Sequence, residues 1–135
     1  MLRNFIYLYC LPYAMDDKEL HEAKYWREDD DAIRCILCPK NCLIKQDKYG
    51  FCGVRKNIDG KLYTLVYNHP VSVHVDPVEK KPLFHFLPGT DILSIGTVGC
   101  NLGCLFCQNW EIARAKAHEV KTPNLTPEEV IAIAK

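Results

Sequence analysis

The chain has 135 residues, 48% of them hydrophobic and 25% charged, which is typical of a globular protein of one domain or one and a half. Its 17 basic and 17 acidic side chains balance, so neither nucleic acid nor an anionic membrane surface is a predicted partner. No apolar run approaches the roughly 20 residues that a transmembrane helix needs, and residues 4–11 lack the pattern of a signal peptide. We therefore expect a cytoplasmic protein.

The first third of the chain begins with residues 1–20, which match no clear pattern and stay an unassigned extension. A short helix is predicted over residues 17–26, with Asp16 or Asp17 available to cap its start. A solvated turn at residues 29–31 then precedes a short strand.

A hairpin is predicted in the middle of the chain. Residues 54–57 and 61–67 have strand composition, and Asp59-Gly60 between them suits a tight turn. Residues 71–75 alternate apolar and polar side chains, as a half-buried strand does.

A domain boundary is predicted at residues 87–90, which separate a β domain (21–88) from a second unit (89–135). The second unit begins with a short buried strand over residues 91–96. Residues 110–117 are predicted to be helical.

The last predicted helix has a clear start. Thr126 is its N-cap, Pro127 its first residue, and Glu129 completes a capping box with Thr126. The side chains predicted to face inward are those of Val130, Ile131 and Ala134.

The chain has eight cysteines, and seven of them fall into two tight groups. A secreted disulfide scaffold would also use an even number, but no export signal is visible. Metal ligation explains the grouping better. Cys10 stands alone and is predicted to be an ordinary buried thiol.

The second group, Cys100, Cys104 and Cys107, has the spacing C-x3-C-x2-C directly after the strand predicted at residues 91–96. Three thiolates this close can hold one soft metal centre, whereas an ordinary cubane cluster has four cysteine ligands. A [4Fe–4S] cluster bound by these three would leave one iron open to a small molecule.

The first group, Cys35, Cys38, Cys42 and Cys52, offers four thiolates. Four cysteines suit a closed tetrahedral zinc site and equally a fully ligated second iron–sulfur cluster. The spacing does not distinguish these two, and either would be a structural site or an electron relay.

The ordered motifs of residues 62–67, 76–86 and 93–107 resemble radical S-adenosylmethionine (SAM) enzymes related to pyruvate formate-lyase activating enzyme. Tyr25-Trp26 and the cysteines up to the run Cys-Gly-Val-Arg at residues 52–55 are most similar to the radical SAM member of the AmmeMemoRadiSam system. The resemblance covers about residues 22–112.

The resemblance implies a [4Fe–4S] cluster on Cys100, Cys104 and Cys107, with SAM bound at the open iron. An external electron donor would reduce the cluster, SAM would be cleaved to a 5′-deoxyadenosyl radical, and that radical would abstract hydrogen from an unidentified substrate, such as a partner protein. Phe106 would pack near the adenine, although an aromatic filling the core explains it equally well. Memo-type and AMMECR-type proteins are the implied companions. No catalytic residue is assigned.

Lys80, Lys81 and His85 lie in the most family-like segment, before the predicted boundary. They would neutralise a negatively charged cluster or contact a substrate carboxylate. The simpler interpretation is a solvated basic turn, with His85 between two buried phenylalanines.

The predicted fold is α/β with an α+β N-terminal part: a small cysteine-bearing β domain, then the first βα unit of an incomplete radical SAM barrel of partial TIM type. A closed barrel takes about 250 residues. We therefore expect a truncated N-terminal portion, unable by itself to cleave SAM at a useful rate. The alternative is a small two-zinc module that binds a protein or nucleic acid.

Overall fold

The computed structural model describes residues 20–135, whose strands form three small antiparallel sheets. The strands are β1 (His21–Glu22), β2 (Trp26–Asp29), β3 (Ala32–Cys35), β4 (Leu43–Lys45), β5 (Arg55–Ile58), β6 (Lys61–Thr64), β7 (Ser72–Pro77) and β8 (Asp91–Gly96). Two helices follow, α1 (Trp110–Arg114) and α2 (Pro127–Ala134), together with 3-10 turns at Val78–Lys80 and Ala117–Glu119. Neither helix of the described residues has the length and hydropathy that a transmembrane segment needs.

The first six strands make two three-stranded sheets, ordered β1-β6-β5 and β2-β3-β4, and β7 pairs with β8 in the third. The β5–β6 hairpin closes as predicted. Ile58 pairs with Lys61, and the two residues between them, Asp59 and Gly60, have φ values of 48° and 76°. Positive φ at both positions is the geometry of a type I′ turn, which matches the twist of the strands.

The helix predicted over residues 17–26 is wrong for its described part, residues 20–26; residues 17–19 lie outside the described range. This segment instead carries β1, which pairs with β6, and Trp26 begins β2. The amide of Ala23 donates to the carbonyl of Leu62 at 2.8 Å. The cause is pairing with a strand distant in sequence, which outweighs local helix propensity.

The core lies between the two three-stranded sheets and is small. Its buried apolar members are Ala23, Ile33, Cys35, Ile44 and Leu62. Trp26 and Cys42 pack against this cluster while remaining partly exposed. Two of the predicted metal ligands, Cys35 and Cys42, are therefore part of the core or directly beside it.

The predicted domain boundary falls inside a connection between paired strands. β7 and β8, on its two sides, pair over their whole length, from Ser72 opposite Gly96 to Pro77 opposite Asp91. The division into domains stays a prediction. The strand predicted as buried at residues 91–96 is only half-buried and Ile95 is exposed, because a two-stranded sheet leaves a face uncovered.

For the last helix, the sequence predicts the start correctly but not which side chains are buried. Thr126 caps α2 and forms the predicted capping box with Glu129, whose amide donates to the Thr126 hydroxyl at 3.3 Å. Of the three side chains predicted to face inward, Val130 is half-buried but Ile131 and Ala134 are exposed. That part of the prediction is wrong, because the contact of α2 with β8 leaves these two side chains exposed among the described residues.

The helix predicted over residues 110–117 is shorter than expected. α1 ends at Arg114, because Ala115 has the extended values φ −65° and ψ 145°. Among residues 20–135 the strands form only these small antiparallel sheets, so the barrel stays a prediction.

Candidate metal centre

The first cysteine group surrounds the end of β3. Cys35 is the last residue of β3 and is buried, Cys38 and Cys42 lie on the connection to β4, and Cys52 lies between β4 and β5. The amide of Cys35 donates to the carbonyl of Cys42 at 2.9 Å. The backbone therefore holds the first and third members of the group side by side.

Two tight turns shape the segments between these cysteines. The amide of Asn41, at φ 46°, donates to the carbonyl of Cys38 at 3.1 Å. The amide of Gly53, at φ 74°, donates to the carbonyl of Gly50 at 2.9 Å, which turns the chain around Cys52. Such left-handed positions favour asparagine and glycine.

Two sulfur atoms of this group accept hydrogen bonds. Arg55 Nη1 donates to Cys35 Sγ at 3.0 Å, and the amide of Phe51 donates to Cys42 Sγ at 3.4 Å. Donors aimed at cysteine sulfur stabilise thiolates and tune the metal centres that thiolates bind. The group thus has outer-shell contacts suited to metal ligation.

The second group lies on the loop between β8 and α1. Cys100 and Cys107 are half-buried and Cys104 is exposed. The amide of Leu102 donates to Cys100 Sγ at 3.4 Å, the same kind of contact as in the first group. The start of the loop is fixed by a hydrogen bond from the amide of Gly99 to the carbonyl of Ile112, at 2.9 Å.

The two groups adjoin each other at Gly99. A Cβ atom added to this residue would lie 2.5 Å from the Cys52 carbonyl oxygen and 2.5 Å from Val54 Cγ1. The backbone of the second group's loop thus packs directly on the chain at the last cysteine of the first group. Only glycine permits this approach.

A cavity of about 800 Å³ lies where the groups meet. The cysteines that line it are Cys35, Cys38, Cys42, Cys52 and Cys100. The whole first group thus faces one space, shared with one member of the second. Cys104 and Cys107 are not in its wall.

The described cysteines are not in ligating positions. Within residues 20–135, no three side chains of cysteine, histidine, aspartate or glutamate lie close enough together to hold a metal ion. The donor chemistry nevertheless fits a soft metal, since the seven described thiols are free and five of them line one cavity. Ligation would require the side chains of each group to converge further.

Phe106 was predicted to pack near an adenine or in the core, and the structure does not place it in the core. Its side chain is 88% exposed, and that of the neighbouring Leu105 is fully exposed. The core interpretation is therefore wrong, because the described residues leave most of this ring uncovered. The contact with adenine stays a prediction.

Arg55, three residues after Cys52, has no role predicted from the sequence. Arg55 and Asn57 are buried on β5, whereas Lys56 and Ile58, which alternate with them, are more exposed. A charged residue at an inward position of a predicted strand is the signal that would have singled it out.

The basic segment before β8 is organised by a carboxylate that the sequence did not single out. Lys80 Nζ and Lys81 Nζ lie 2.7 and 3.0 Å from the carboxylate oxygens of Asp76, which is buried at the end of β7. His85 is exposed. The phenylalanines beside it, Phe84 and Phe86, were predicted to be buried but are about 60% exposed, since the rest of residues 20–135 does not cover them.

We expect Asp76→Asn to lower the melting temperature at neutral pH. Hydrogen bonds from Lys80 and then Lys81 hold the pKa of Asp76 well below its ordinary value. The carboxylate therefore stabilises the fold fully above about pH 4, the ordinary aspartate pKa, and loses this effect as the pH falls toward its folded pKa. Melting curves of both proteins should converge at acidic pH. Asp91→Asn, an exposed change on β8, is the control, and an equal effect of both changes would contradict the assignment.

Comparison with known proteins identifies a relative but no family. The chain is 44% identical over 116 residues to an uncharacterized protein of Methanocaldococcus jannaschii. That match covers 85% of this chain but 35% of the relative, so the chain spans about a third of the relative's length. No protein-family model matches the chain. No solved structure matches it either.

Proposed function

We propose that this chain is the metal-binding N-terminal portion of a cytoplasmic radical SAM iron–sulfur enzyme, related to glycyl-radical activating enzymes. Cys100, Cys104 and Cys107 would hold a [4Fe–4S] cluster with one open iron. Cys35, Cys38, Cys42 and Cys52 would hold a second centre, of zinc or iron–sulfur type. The proposal rests on the residues and their chemistry, together with the resemblance of the ordered motifs.

The observation that carries the proposal is the loop after β8. Three free thiols lie there within eight residues, and a backbone amide already donates to the first sulfur, that of Cys100. Three thiolates leave a cubane one ligand short, and this is the requirement for a small molecule to bind iron.

When bound, the cluster would supply one electron for reductive cleavage of the SAM sulfonium, giving the 5′-deoxyadenosyl radical. The protein would supply ligation, orientation and exclusion of water. Two features of this chain would support ligation. Gly99 lets the loop pack closely on Cys52, and the Leu102 amide donates a hydrogen bond to the Cys100 sulfur.

The first group supports the loop physically. Because Gly99 packs on the backbone at Cys52, any metal that fixes Cys52 would also fix the platform on which the loop rests. This adjacency would suit a structural centre, and equally an electron relay.

The complete enzyme's activity requires more than the chain described here, which spans about a third of its relative. SAM, an external electron donor and a substrate, for which a partner protein is the implied class, complete the proposal. Memo-type and AMMECR-type companions follow from the resemblance alone.

The test is anaerobic reconstitution with iron and sulfide, followed by reduction and addition of SAM. We expect a brown protein with charge-transfer absorption, and an electron paramagnetic resonance signal of the reduced cluster that changes when SAM binds the open iron. Cys107→Ala should lose the resonance signal that responds to SAM. Cys10→Ala, a change outside both groups, should keep it.

Two results would overturn the proposal. A colourless protein with two zinc ions per chain would identify the two-zinc module instead. A SAM-dependent change of the cluster signal that persists in Cys107→Ala would show that the loop is not the site where SAM binds iron.

A further inference from the structure

Arg55 is a buried cation beside the first cysteine group. Its side chain extends from β5 into the core region, and the residue is 9% exposed. Nη1 donates to Cys35 Sγ at 3.0 Å and Nη2 donates to the carbonyl of Lys24 at 2.7 Å. The two donors of the guanidinium fork thus hold one sulfur and one backbone oxygen.

This guanidinium has no carboxylate partner in the part of the chain that the structure describes. The ion pairs of residues 20–135 involve other basic groups, such as Arg34 with Asp29 and Lys56 with Asp47. A buried charge without a countercharge is costly. Cys35 Sγ is the atom beside Arg55 that becomes anionic when it binds a metal.

The wall of the cavity, like Arg55 itself, is positively charged on balance. Its charged members are Lys24, Lys40, Arg55 and Glu22. The wall thus contains three cationic residues and one acidic residue. The carboxylate of that acidic residue, Glu22, is already paired with Lys61, whose Nζ lies 3.8 Å away. An electropositive, largely apolar space lined by thiols suits an anionic occupant.

A centre with four thiolate ligands is anionic for either metal. Zn²⁺ with four thiolates carries a net charge of about −2, and so does an oxidised [4Fe–4S] cluster with four thiolates. Arg55 would compensate about half of that charge directly at one ligand, in a region of low dielectric where the compensation matters most.

We propose that Arg55 is the positioning residue of the four-cysteine centre, fixing the Cys35 sulfur and neutralising part of the charge of the bound metal–thiolate group. This inference rests on the proposed function of the first group. It adds a specific residue, on a different strand, to the four cysteines.

The experiment measures Co²⁺ binding to the apo protein, with Cys100, Cys104 and Cys107 replaced by serine so that only the first group binds. Thiolate-to-cobalt absorption reports ligation, and competition with a chelator gives the dissociation constant. We expect Arg55→Met to raise that constant by about 10- to 100-fold, the usual effect of removing an outer-shell partner.

The matched control is Lys56→Met, which removes the neighbouring positive charge of β5. Lys56 Nζ lies 3.9 Å from Asp47 Oδ1 and 5.6 Å from the centre of the Tyr49 ring, and Lys56 is not in the cavity wall. Lys56→Met should leave the dissociation constant unchanged. Arg55→Lys, which keeps the charge, should recover most of the affinity lost in Arg55→Met.

The outcomes separate this inference from the proposed function. Absence of thiolate-to-cobalt absorption in the unmutated group would refute the metal site itself. Equal affinities of Arg55→Met and Lys56→Met, with normal absorption in both, would overturn only the role of Arg55. Should Arg55→Met not fold, Arg55→Gln, which is uncharged but can still donate to the Lys24 carbonyl, takes its place with the same expectation.

Discussion

Gly99→Ala should destabilise the protein strongly. The residue has φ 84°, and the new Cβ would lie 2.5 Å from the Cys52 carbonyl oxygen, a backbone atom that cannot rotate away. Left-handed strain costs about 1–2 kcal/mol. Overpacking adds about 1–3 kcal/mol. We therefore expect the free energy of unfolding in urea to fall by about 3 kcal/mol.

Gly89→Ala separates the steric effect from the backbone strain. Gly89 has φ 79°, close to that of Gly99, but apart from its chain neighbours no heavy atom of residues 20–135 lies within 4 Å of its added Cβ. This variant should lose only the strain, about 1–2 kcal/mol. Equal losses in the two variants would contradict the close packing of the loop on Cys52.

Removing metal from the first cysteine group should unfold the β domain, from about residue 25 to residue 88. Its core cluster has five buried apolar side chains, one of them the predicted ligand Cys35. A domain this small rarely gains more than about 3–5 kcal/mol from its apolar core. Structural zinc contributes about 10–16 kcal/mol of apparent binding energy to folding. Chelation, or Cys38→Ala, should abolish the cooperative thermal transition seen by circular dichroism.

Cys104→Ala is the control for this second experiment. Cys104 is exposed, lies in the other group and does not line the shared cavity. Its replacement should leave the melting of the β domain nearly unchanged. An unaltered circular dichroism spectrum and melting curve after complete removal of metal would show that the apolar core suffices.

Features encoded within a few residues could be predicted from the sequence. Asp59-Gly60 specifies its turn through positive φ, and Thr126 with Glu129 specifies the start of α2 through reciprocal hydrogen bonds. Each signal involves neighbours in the chain, so local physical chemistry is enough to interpret it. The grouping of the cysteines is likewise visible in the spacing alone.

Features that depend on distant partners could not be predicted. Residues 20–26 have helical composition, but pairing with β6 makes part of this segment a strand. The contact of Arg55 with Cys35 joins residues on different sheets, and the approach of Gly99 to Cys52 joins the two cysteine groups. The exposure of Phe106 depends on what packs over the loop, which spacing does not specify.

Because the two cysteine groups adjoin each other, we do not expect them to bind metal fully independently. Separation in the sequence favours independent sites, yet the Gly99 contact places the loop on the first group's backbone. We expect loss of the loop's cluster to leave the first group loaded, since its ligands and core are complete without the loop. Loss of the first group's metal should weaken the loop's cluster as well.

The most direct measurement is the content of iron, zinc and acid-labile sulfide in three anaerobically reconstituted proteins: wild type, Cys104→Ala and Cys38→Ala. We expect Cys104→Ala to lack about four irons and four sulfides relative to wild type, the content of one cubane. It should retain the metal of the first group. Iron and sulfide contents in Cys104→Ala equal to those of wild type would refute ligation by the loop. Loss of all metal in both variants would show that the seven cysteines form a single centre.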